Sequence, residues 1–217
     1  MSKDGLASEP PHVRGREAVI ADSAGVVWRD GAPPDYHLSH QTMPSERTVH
    51  HPAGSLADIV ERVVQVFEME LSHKKDPAQW VSMVTDQLRV SVNGGPAVGS
   101  AELAERGSYN VLIGESPYYS ASSETFESSH EIFHNAFPGG FFWEVLEVYS
   151  PPPTIAFKWR HWGTFSGPYR GMNPTGERIE MFGVTVARVS DDLRIVEVHN
   201  YYDNSDFLRQ LACGHGS

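Results

Sequence analysis

The stretch from residue 141 to residue 203 constrains the fold most, because its apolar residues recur with a period of two between strong turn signals. Ile155, Phe157 and Trp159 alternate with less apolar neighbours, which is typical of a strand with two different faces. Turn residues at 173–176 and 190–192 separate this run from two further runs of the same kind. We therefore expect three consecutive antiparallel strands, at about 155–162, 178–189 and 193–202.

Helical patterns precede this strand-rich stretch. Ser55 and Asp58 have the spacing of a capping box, and apolar residues follow at helical spacing as far as Leu71. Four polar residues of this helix are expected to face solvent: Glu61, Arg62, Gln65 and Glu68. Further helices are expected from Asp76 to the turn at 93–96, and over 101–106, 123–136 and 205–211, with 109–113 as a strand or a docked loop. Helices followed by an antiparallel meander indicate an α+β fold.

Residues 1–53 show little periodicity and are interrupted by prolines and glycines. We interpret them as an irregular N-terminal arm that docks on the main domain, which spans residues 54–212. Val26, Val27 and Trp28 are the expected anchor, because apolar residues in a polar arm favour docking over a free tail.

Composition limits the partners of this chain. The formal net charge of −11 disfavours nucleic acid and anionic membrane surfaces, whose phosphates would be repelled. No apolar run approaches the roughly 20 residues that span a bilayer, and the N-terminus lacks the apolar segment of a secretory signal. Cys213 is the single cysteine, so no internal disulfide forms and a reducing, cytoplasmic location is expected.

Several motifs of the C-terminal half resemble a known family. They are the Gly-Thr-x-x-Gly pattern of Gly163–Gly167, the turn at Pro174–Gly176, the spacing from Glu197 to Asp203, and the Gln210-Leu211 ending. The chain resembles the SnoaL-like polyketide cyclase family of the nuclear-transport-factor-2-like superfamily. The stretches VWRDGAPPDY, FEMELSHK, AFPGGFFWEVLEVYSPPP and FKWRHWGTFSGPY are similar to plant pathogen-related proteins within it.

This resemblance implies a cone-shaped fold, also described as cystatin-like, in which a curved antiparallel sheet wraps around helices and leaves a deep apolar pocket. It implies cyclisation, dehydration, isomerisation or epoxide hydrolysis without a cofactor, or binding without catalysis. It also implies a homodimer.

The resemblance assigns the role of general acid/base to Asp203, at the end of the last strand. A carboxylate at the mouth of an apolar cavity is poorly solvated, which raises its pKa and makes it a better base. The alternative is that Asp203 is the N-cap of the final helix, since Asp203-Asn204-Ser205 suits a helix start.

His161, His199 and Tyr201 are the other candidate catalytic residues. Strand alternation places His199 and Tyr201 on the face of Asp203, and their groups could hydrogen-bond a developing enolate if that face is concave. The apolar residues Val196 and Val198 lie on the opposite face, so the orientation of this strand stays open.

The segment from His130 to His134 matches the H-E-x-x-H signature of zinc proteases. Two histidines four residues apart on a helix could bind one Zn²⁺, with Glu131 activating a water molecule. No third ligand lies at a familiar spacing, so the leading interpretation contains no metal, and a zinc hydrolase is the second alternative.

Aromatic residues make up 11% of the chain, which suits a flat hydrophobic ligand. The expected ligand-binding residues are Trp80, Phe126, His130, Phe133, Trp143, Phe157 and Trp159. No phosphate-binding glycine loop is present, so we expect no nucleotide cofactor. The leading hypothesis is a cyclase, isomerase or dehydratase of secondary metabolism that acts on a small hydrophobic metabolite. The first alternative is a non-catalytic or stress-related binding protein of the same fold.

Overall fold

The structure, a computed structural model, describes residues 9–213 and has an α+β architecture built on one curved sheet. The sheet contains five strands in the order β1-β5-β4-β3-β2. Strands β2 to β5 form an antiparallel meander, and β1 pairs with β5 in parallel. The strands are β1 (Arg89–Val92), β2 (Phe141–Val148), β3 (Thr154–Thr164), β4 (Arg178–Val189) and β5 (Ile195–Tyr202). The three predicted strands are thus confirmed as β3, β4 and β5, whereas β1 and β2 were missed.

Within residues 9–213, eight α-helices accompany the sheet. They are α1 (Pro11–Arg14), α2 (Arg16–Ala21), α3 (His37–Glu46), α4 (Leu56–His73), α5 (Ser100–Arg106), α6 (Ser108–Ile113), α7 (Phe126–Ala136) and α8 (Asn204–Ala212). One-turn 3₁₀ helices lie at Pro77–Gln79 and Ala121–Ser123. The predicted helices at 101–106, 123–136 and 205–211 correspond to α5, α7 and α8.

Helix α4 packs against the inner face of the sheet and shares a core with it. Ser55 caps this helix as predicted, because its hydroxyl accepts a hydrogen bond from the Asp58 amide at 3.3 Å. The core between helix and sheet contains Val60, Val63, Phe67 and Leu71 of α4 and Trp143, Val145, Phe157, Trp159 and Val198 of the strands. Register shifts at residues 145–147 of β2 and at 188–189 of β4 interrupt the ladders, and such bulges bend a sheet.

The helix predicted from Asp76 is wrong. Asp76 does cap a helical turn, but the turn ends at Gln79. The chain then extends beside β5, where the Val84 amide donates to the Ile195 carbonyl at 2.9 Å. Pairing with the sheet overrides the local helical pattern, and Trp80 is buried in the main core.

Residues 109–113 were expected to be a strand or a docked loop, but they belong to helix α6. This helix is one of the elements around the cavity described below. It lies between Gly107 and Gly114, which both have positive φ angles that glycine adopts readily.

The expectation of an irregular N-terminal arm is wrong for residues 9–53, because this part contains α1, α2 and α3. Pro44 lies inside α3 and does not end it. The segment packs on the back of α4, where Val19 is buried against Val66 and Met69. Trp28 of the predicted anchor packs against the same cluster, whereas Val27 is 50% exposed.

Residues 48–51 cover the free edge of β2. The Thr48 amide donates to the Glu144 carboxylate at 2.9 Å, and the His51 Nε2 lies 2.8 Å from the Val145 carbonyl oxygen. Glu61, predicted to face solvent, is buried at this edge and accepts a hydrogen bond from the Val145 amide at 3.1 Å.

Among the helices of residues 9–213, none combines the length and the hydropathy of a membrane-spanning segment.

Candidate functional site

A cavity of about 440 Å³ lies between the sheet and helices α4 and α6. Its size falls in the ordinary range for small-molecule sites. Most of the wall is apolar, and the polar side chains that line it are Glu68, Ser72, Ser108, Tyr109, His161, Asn200 and Tyr202. Within residues 9–213, no lysine or arginine lines this cavity.

Glu68 is the carboxyl group of the cavity, although we expected it to face solvent. It lies on α4 between Val64 and Leu71, which line the same wall. Burial raises the pKa of Glu68 to about 7, and the nearby charge of Arg16 opposes this shift only in part. None of the hydrogen bonds found in residues 9–213 reaches its carboxylate. Glu68 therefore exchanges a proton near neutral pH, as a general acid or base must.

His161, one of the candidate catalytic residues, lines the cavity from β3. Its ring stacks on Phe141 with 3.7 Å between ring centroids. Burial lowers the pKa of His161 to about 3, because an apolar surrounding disfavours the charged imidazolium. The imidazole is neutral at physiological pH and can donate one hydrogen bond and accept another.

Two tyrosines add phenol groups to the wall. Burial raises the pKa of both Tyr109 and Tyr202, so both are protonated at neutral pH. The Tyr202 hydroxyl donates its proton to the carbonyl oxygen of Leu112. That bond joins β5 to α6, and the Tyr202 proton is therefore not available to a ligand.

Trp159 reaches the cavity because Gly183 leaves room for it on the adjacent strand. Gly183 is the Cα partner of Trp159 in the β3–β4 ladder. A Cβ atom added to Gly183 would lie 2.2 Å from Cζ2 of the indole, well inside the distance at which carbon atoms clash. The missing side chain at 183 thus sets the position of the Trp159 ring.

Of the predicted ligand-binding residues, Trp143, Phe157 and Trp159 line the cavity. The other four do not. Trp80 belongs to the main core, and Phe133 belongs to a second core with α8. Phe126 stacks on His130 with 4.1 Å between centroids, behind Tyr109.

His199 and Tyr201 lie on the outer face of β5, away from the cavity. The His199 ring contacts the Ser91 hydroxyl at 2.7 Å and Glu197 at 3.2 Å, and Tyr201 is 48% exposed. The residues of β5 that line the cavity are Ile195, Val198, Asn200 and Tyr202. The apolar residue at 198 therefore indicated the orientation of β5 that was left open, and the candidate catalytic residues His199 and Tyr201 do not converge on the pocket.

Asp203 does not line the cavity either. It is exposed and forms the N-cap of α8, where its carboxylate accepts a hydrogen bond from the Asp206 amide at 3.0 Å. This geometry agrees with the alternative that the sequence left open for Asp203, a helix cap.

The His130–His134 motif does not assemble a metal site in the described part of the chain. Glu131 and His134 are exposed, and the Nδ1 atom of His130 lies 2.8 Å from the Phe126 carbonyl oxygen. No group of three or more histidine, cysteine, aspartate or glutamate side chains within residues 9–213 could hold a metal ion.

The sequence reasoning missed Glu68, Tyr109, Asn200 and Tyr202 at the cavity. Residue 68 lies four positions after Val64 and three before Leu71, so helical spacing places it with the apolar stripe. Residues 200 and 202 share the parity of Val198, which the structure places inward. Tyr109 carried no comparable signal, because its segment was not recognised as a helix.

In residues 9–213, a curved sheet packs over a helix and borders a largely apolar cavity lined by one carboxyl group, which defines a small-molecule site of the cone type. The profile described as SnoaL-like polyketide cyclase matches residues 116–211. The pathogen-related protein of Hordeum vulgare is 39% identical over 189 residues, which is 84% of this chain and 80% of the relative. The chain belongs to the SnoaL-like polyketide cyclase family. Within that family it is similar to this plant pathogen-related protein.

Solved structures of low sequence identity are also similar. A putative SnoaL-like polyketide cyclase from Jannaschia sp. is 17% identical with a TM-score of 0.40, covering 63% of this chain and 78% of that one. The putative polyketide cyclase IdmH from Streptomyces antibioticus is 21% identical with a TM-score of 0.40, covering 63% and 87%. An epoxide hydrolase of M. tuberculosis is 14% identical with a TM-score of 0.38, covering 70% and 87%.

Proposed function

We propose that this chain is a cofactor-independent enzyme of the cyclase, isomerase or dehydratase type that acts on a small hydrophobic metabolite. The observation that carries the proposal is the Glu68 carboxyl group, with a pKa raised to about 7, in an otherwise largely apolar cavity. Membership of the SnoaL-like polyketide cyclase family supports the same type of chemistry.

In this proposal Glu68 takes the role that the family resemblance implied for Asp203, because Asp203 lies outside the cavity. The Glu68 carboxylate removes a proton from a carbon next to a carbonyl group, and the electron pair of that C–H bond moves into an enolate. In a cyclisation the enolate attacks a second carbonyl carbon, whose oxygen takes the proton from Glu68. In a dehydration the enolate electrons expel a β-hydroxyl group, which leaves as water with the proton from Glu68. In an isomerisation Glu68 returns the proton to another carbon. A pKa near the operating pH makes both forms of Glu68 available for these transfers.

His161 supports this chemistry as a neutral group. A neutral imidazole can donate a hydrogen bond to the developing enolate oxygen without a charge that the apolar wall would have to solvate. Tyr109 contributes a protonated phenol to the same cavity. His199 and Tyr201 take no part, since they face outward.

The experiment measures proton abstraction directly. β-Tetralone, a neutral ketone with acidic C–H bonds, is incubated with the protein in heavy water, and deuterium incorporation is followed by NMR. We expect exchange by the unmodified chain and a loss of at least about 100-fold in Glu68→Gln, which is the usual size of a general-base contribution. Asp203→Asn is the matched control and should exchange like the unmodified chain.

A full rate in Glu68→Gln together with a loss in Asp203→Asn would reverse the assignment. Tight binding of β-tetralone without any exchange would instead favour the non-catalytic binding protein, which the mostly apolar wall would also serve.

A further inference from the structure

Asn200 belongs to a short chain of buried hydrogen bonds that ends at the cavity. The indole Nε1 of Trp159 donates to the Thr185 hydroxyl at 2.9 Å, and the Thr185 hydroxyl donates to the Asn200 side-chain oxygen at 2.6 Å. Trp159 and Thr185 are 5% and 4% exposed, so water has little access to the bond between them, whereas the bond to Asn200 is half-buried at the cavity. Asn200 and Trp159 both line the cavity.

This series of hydrogen bonds determines which way the Asn200 amide points. An indole N–H only donates, so the Thr185 oxygen accepts from Trp159 and its single proton needs another acceptor. The Asn200 oxygen is the acceptor that residues 9–213 supply. A flipped amide would leave the buried Thr185 proton without a partner, which costs about 1–3 kcal/mol. The Asn200 NH₂ group is therefore directed away from Thr185.

The NH₂ group of Asn200 makes no hydrogen bond among those found in residues 9–213, although the side chain lines the cavity. Tyr202, its neighbour on the same face, cannot offer a proton to a ligand because that proton goes to Leu112. Thus β5 presents one oriented and unused donor group to the cavity.

We propose that Asn200 is the carbonyl-binding group of this cavity, that Trp159 and Thr185 hold its amide in the donating orientation, and that the substrates are neutral ketones or esters. The proposal rests on the proposed function and specifies its substrate class. An amide donor stabilises a carbonyl oxygen and, more strongly, the negative oxygen of an enolate.

The charges around the cavity support the same ligand class. A free carboxylate or phosphate would find no lysine or arginine on the wall formed by the described residues and would be repelled by ionised Glu68. A neutral carbonyl compound avoids that cost and still uses the Asn200 donor. Thr185 is a positioning residue here, since it acts through Asn200.

The test compares two probes of similar shape, methyl naphthyl ketone and ethylnaphthalene, of which only the ketone carries an oxygen. Binding of each is measured by quenching of tryptophan fluorescence, and the carbonyl stretch of the bound ketone by infrared difference spectroscopy. We expect Asn200→Leu to weaken binding of the ketone about 10-fold, as for one lost hydrogen bond, while binding of ethylnaphthalene stays unchanged. The carbonyl stretch should move to higher frequency in this variant.

Thr185→Val and Thr185→Ser separate positioning from packing. Valine has the shape of threonine but no hydroxyl, so it should reproduce the frequency shift of Asn200→Leu. Serine keeps the hydroxyl and should restore the original frequency. An effect of Thr185 through packing alone would weaken both probes and leave the carbonyl frequency unchanged, which would overturn its positioning role.

An unchanged carbonyl frequency in Asn200→Leu would overturn the proposal for Asn200. The result for Glu68 is independent of it, because Glu68→Gln should bind the ketone with the original frequency and lose only proton exchange. A ketone that binds through Asn200 but exchanges equally in Glu68→Gln would refute the proposed function and keep the carbonyl site. Failure of both probes to bind would refute both proposals.

Discussion

Glu68 is held in a place where the folded chain prefers its protonated form. Its pKa is about 7 in the folded chain against an ordinary value of 4.5, and burial is the main cause. The charged group near it is Arg16, which favours ionisation. The phenols of Tyr36 and Tyr109 also face it, but burial raises their pKa and they stay neutral. The folded chain is therefore less stable with an ionised Glu68 than with a protonated one.

The sign of the pH dependence follows from these two values. Below pH 4.5 both the folded and the unfolded chain carry a protonated Glu68, and between pH 4.5 and pH 7 only the unfolded chain releases the proton. The free energy of unfolding should therefore fall over this interval, by about 3 kcal/mol relative to a chain without this carboxyl group. Urea unfolding of the unmodified chain and of Glu68→Gln across this range measures the difference. Parallel pH profiles for the two chains would show that the Glu68 carboxyl group is not buried.

For single residues, the sequence predicts the kind of side chain at the site better than it predicts which residue faces the cavity. His161 lies on the inner face, where it continues the alternation of Phe157 and Trp159. Glu68 was expected in solvent because it is charged, although its helical spacing places it with Val64 and Leu71. The charge of Glu68 was a poor guide here, since a largely apolar cavity can hold a half-buried carboxyl group.

Helix α8 is stabilised at its start by its N-cap residue, Asp203. The Asp203 carboxylate satisfies the Asp206 amide, which has no partner within the helix. We expect Asp203→Ala to lower the free energy of unfolding by about 1 kcal/mol, the usual cost of a lost N-cap. Binding of methyl naphthyl ketone should not change, since Asp203 is not part of the cavity wall.

Asp203→Asn serves as the control in the same denaturation experiment, because asparagine also caps helices well. It should keep nearly all of the stability that alanine loses. A loss of ketone binding in either variant, with folding intact, would return Asp203 to the site.

Helices and strands with strong patterns in their own sequence were predicted well. Those that form only through pairing with a distant strand were not. Helix α4 carries its cap and its apolar stripe in its own sequence, and β3 carries its own alternation. Strand β1 is only four residues long and exists through pairing with β5. The Asp76 segment has a good helix start but is drawn out along β5. Such long-range pairing leaves no local signal.

The N-terminal segment is joined to the sheet through a buried ion pair. Arg160 of β3 and Glu144 of β2 are 3% and 0% exposed and are joined at 2.9 Å, and Glu144 also accepts from the Thr48 amide and hydroxyl. Burial by itself would raise the pKa of Glu144, but the hydrogen bonds from Arg160 and Thr48 outweigh it and hold the pKa below its ordinary value. The charge on Glu144 thus links residues 48 and 49 to the two strands.

Removing one partner of this pair should destabilise the whole molecule. In Arg160→Met the Glu144 carboxylate loses its buried counter-ion, and we expect a loss of about 3–5 kcal/mol in the free energy of unfolding. Arg188→Met is the matched control on β4, because the Arg188–Glu197 pair is largely exposed and should contribute about 1 kcal/mol or less. Chemical denaturation measures both. Equal losses in the free energy of unfolding would mean that the buried Arg160–Glu144 pair stabilises the fold no more than the exposed Arg188–Glu197 pair.

The sequence allowed the α+β class, the meander and the family to be predicted for the molecule as a whole, because repeated local patterns encode them. It did not reveal that residues 48–51 border β2 or that α6 lines the cavity. Those arrangements depend on contacts between residues about 100 positions apart, such as Thr48 with Glu144 and Leu112 with Tyr202.

The empty position at Gly183 has a consequence for how relatives of this chain can diverge. Any side chain at 183 collides with the indole of Trp159, so neither position can change freely while the other stays the same. A smaller residue at 159 would leave room for a side chain at 183. That side chain on β4 would then form the part of the cavity wall that the indole of β3 forms now. The two positions would then covary among descendants, and their exchange would give a short mutational route to a differently shaped pocket on an unchanged backbone.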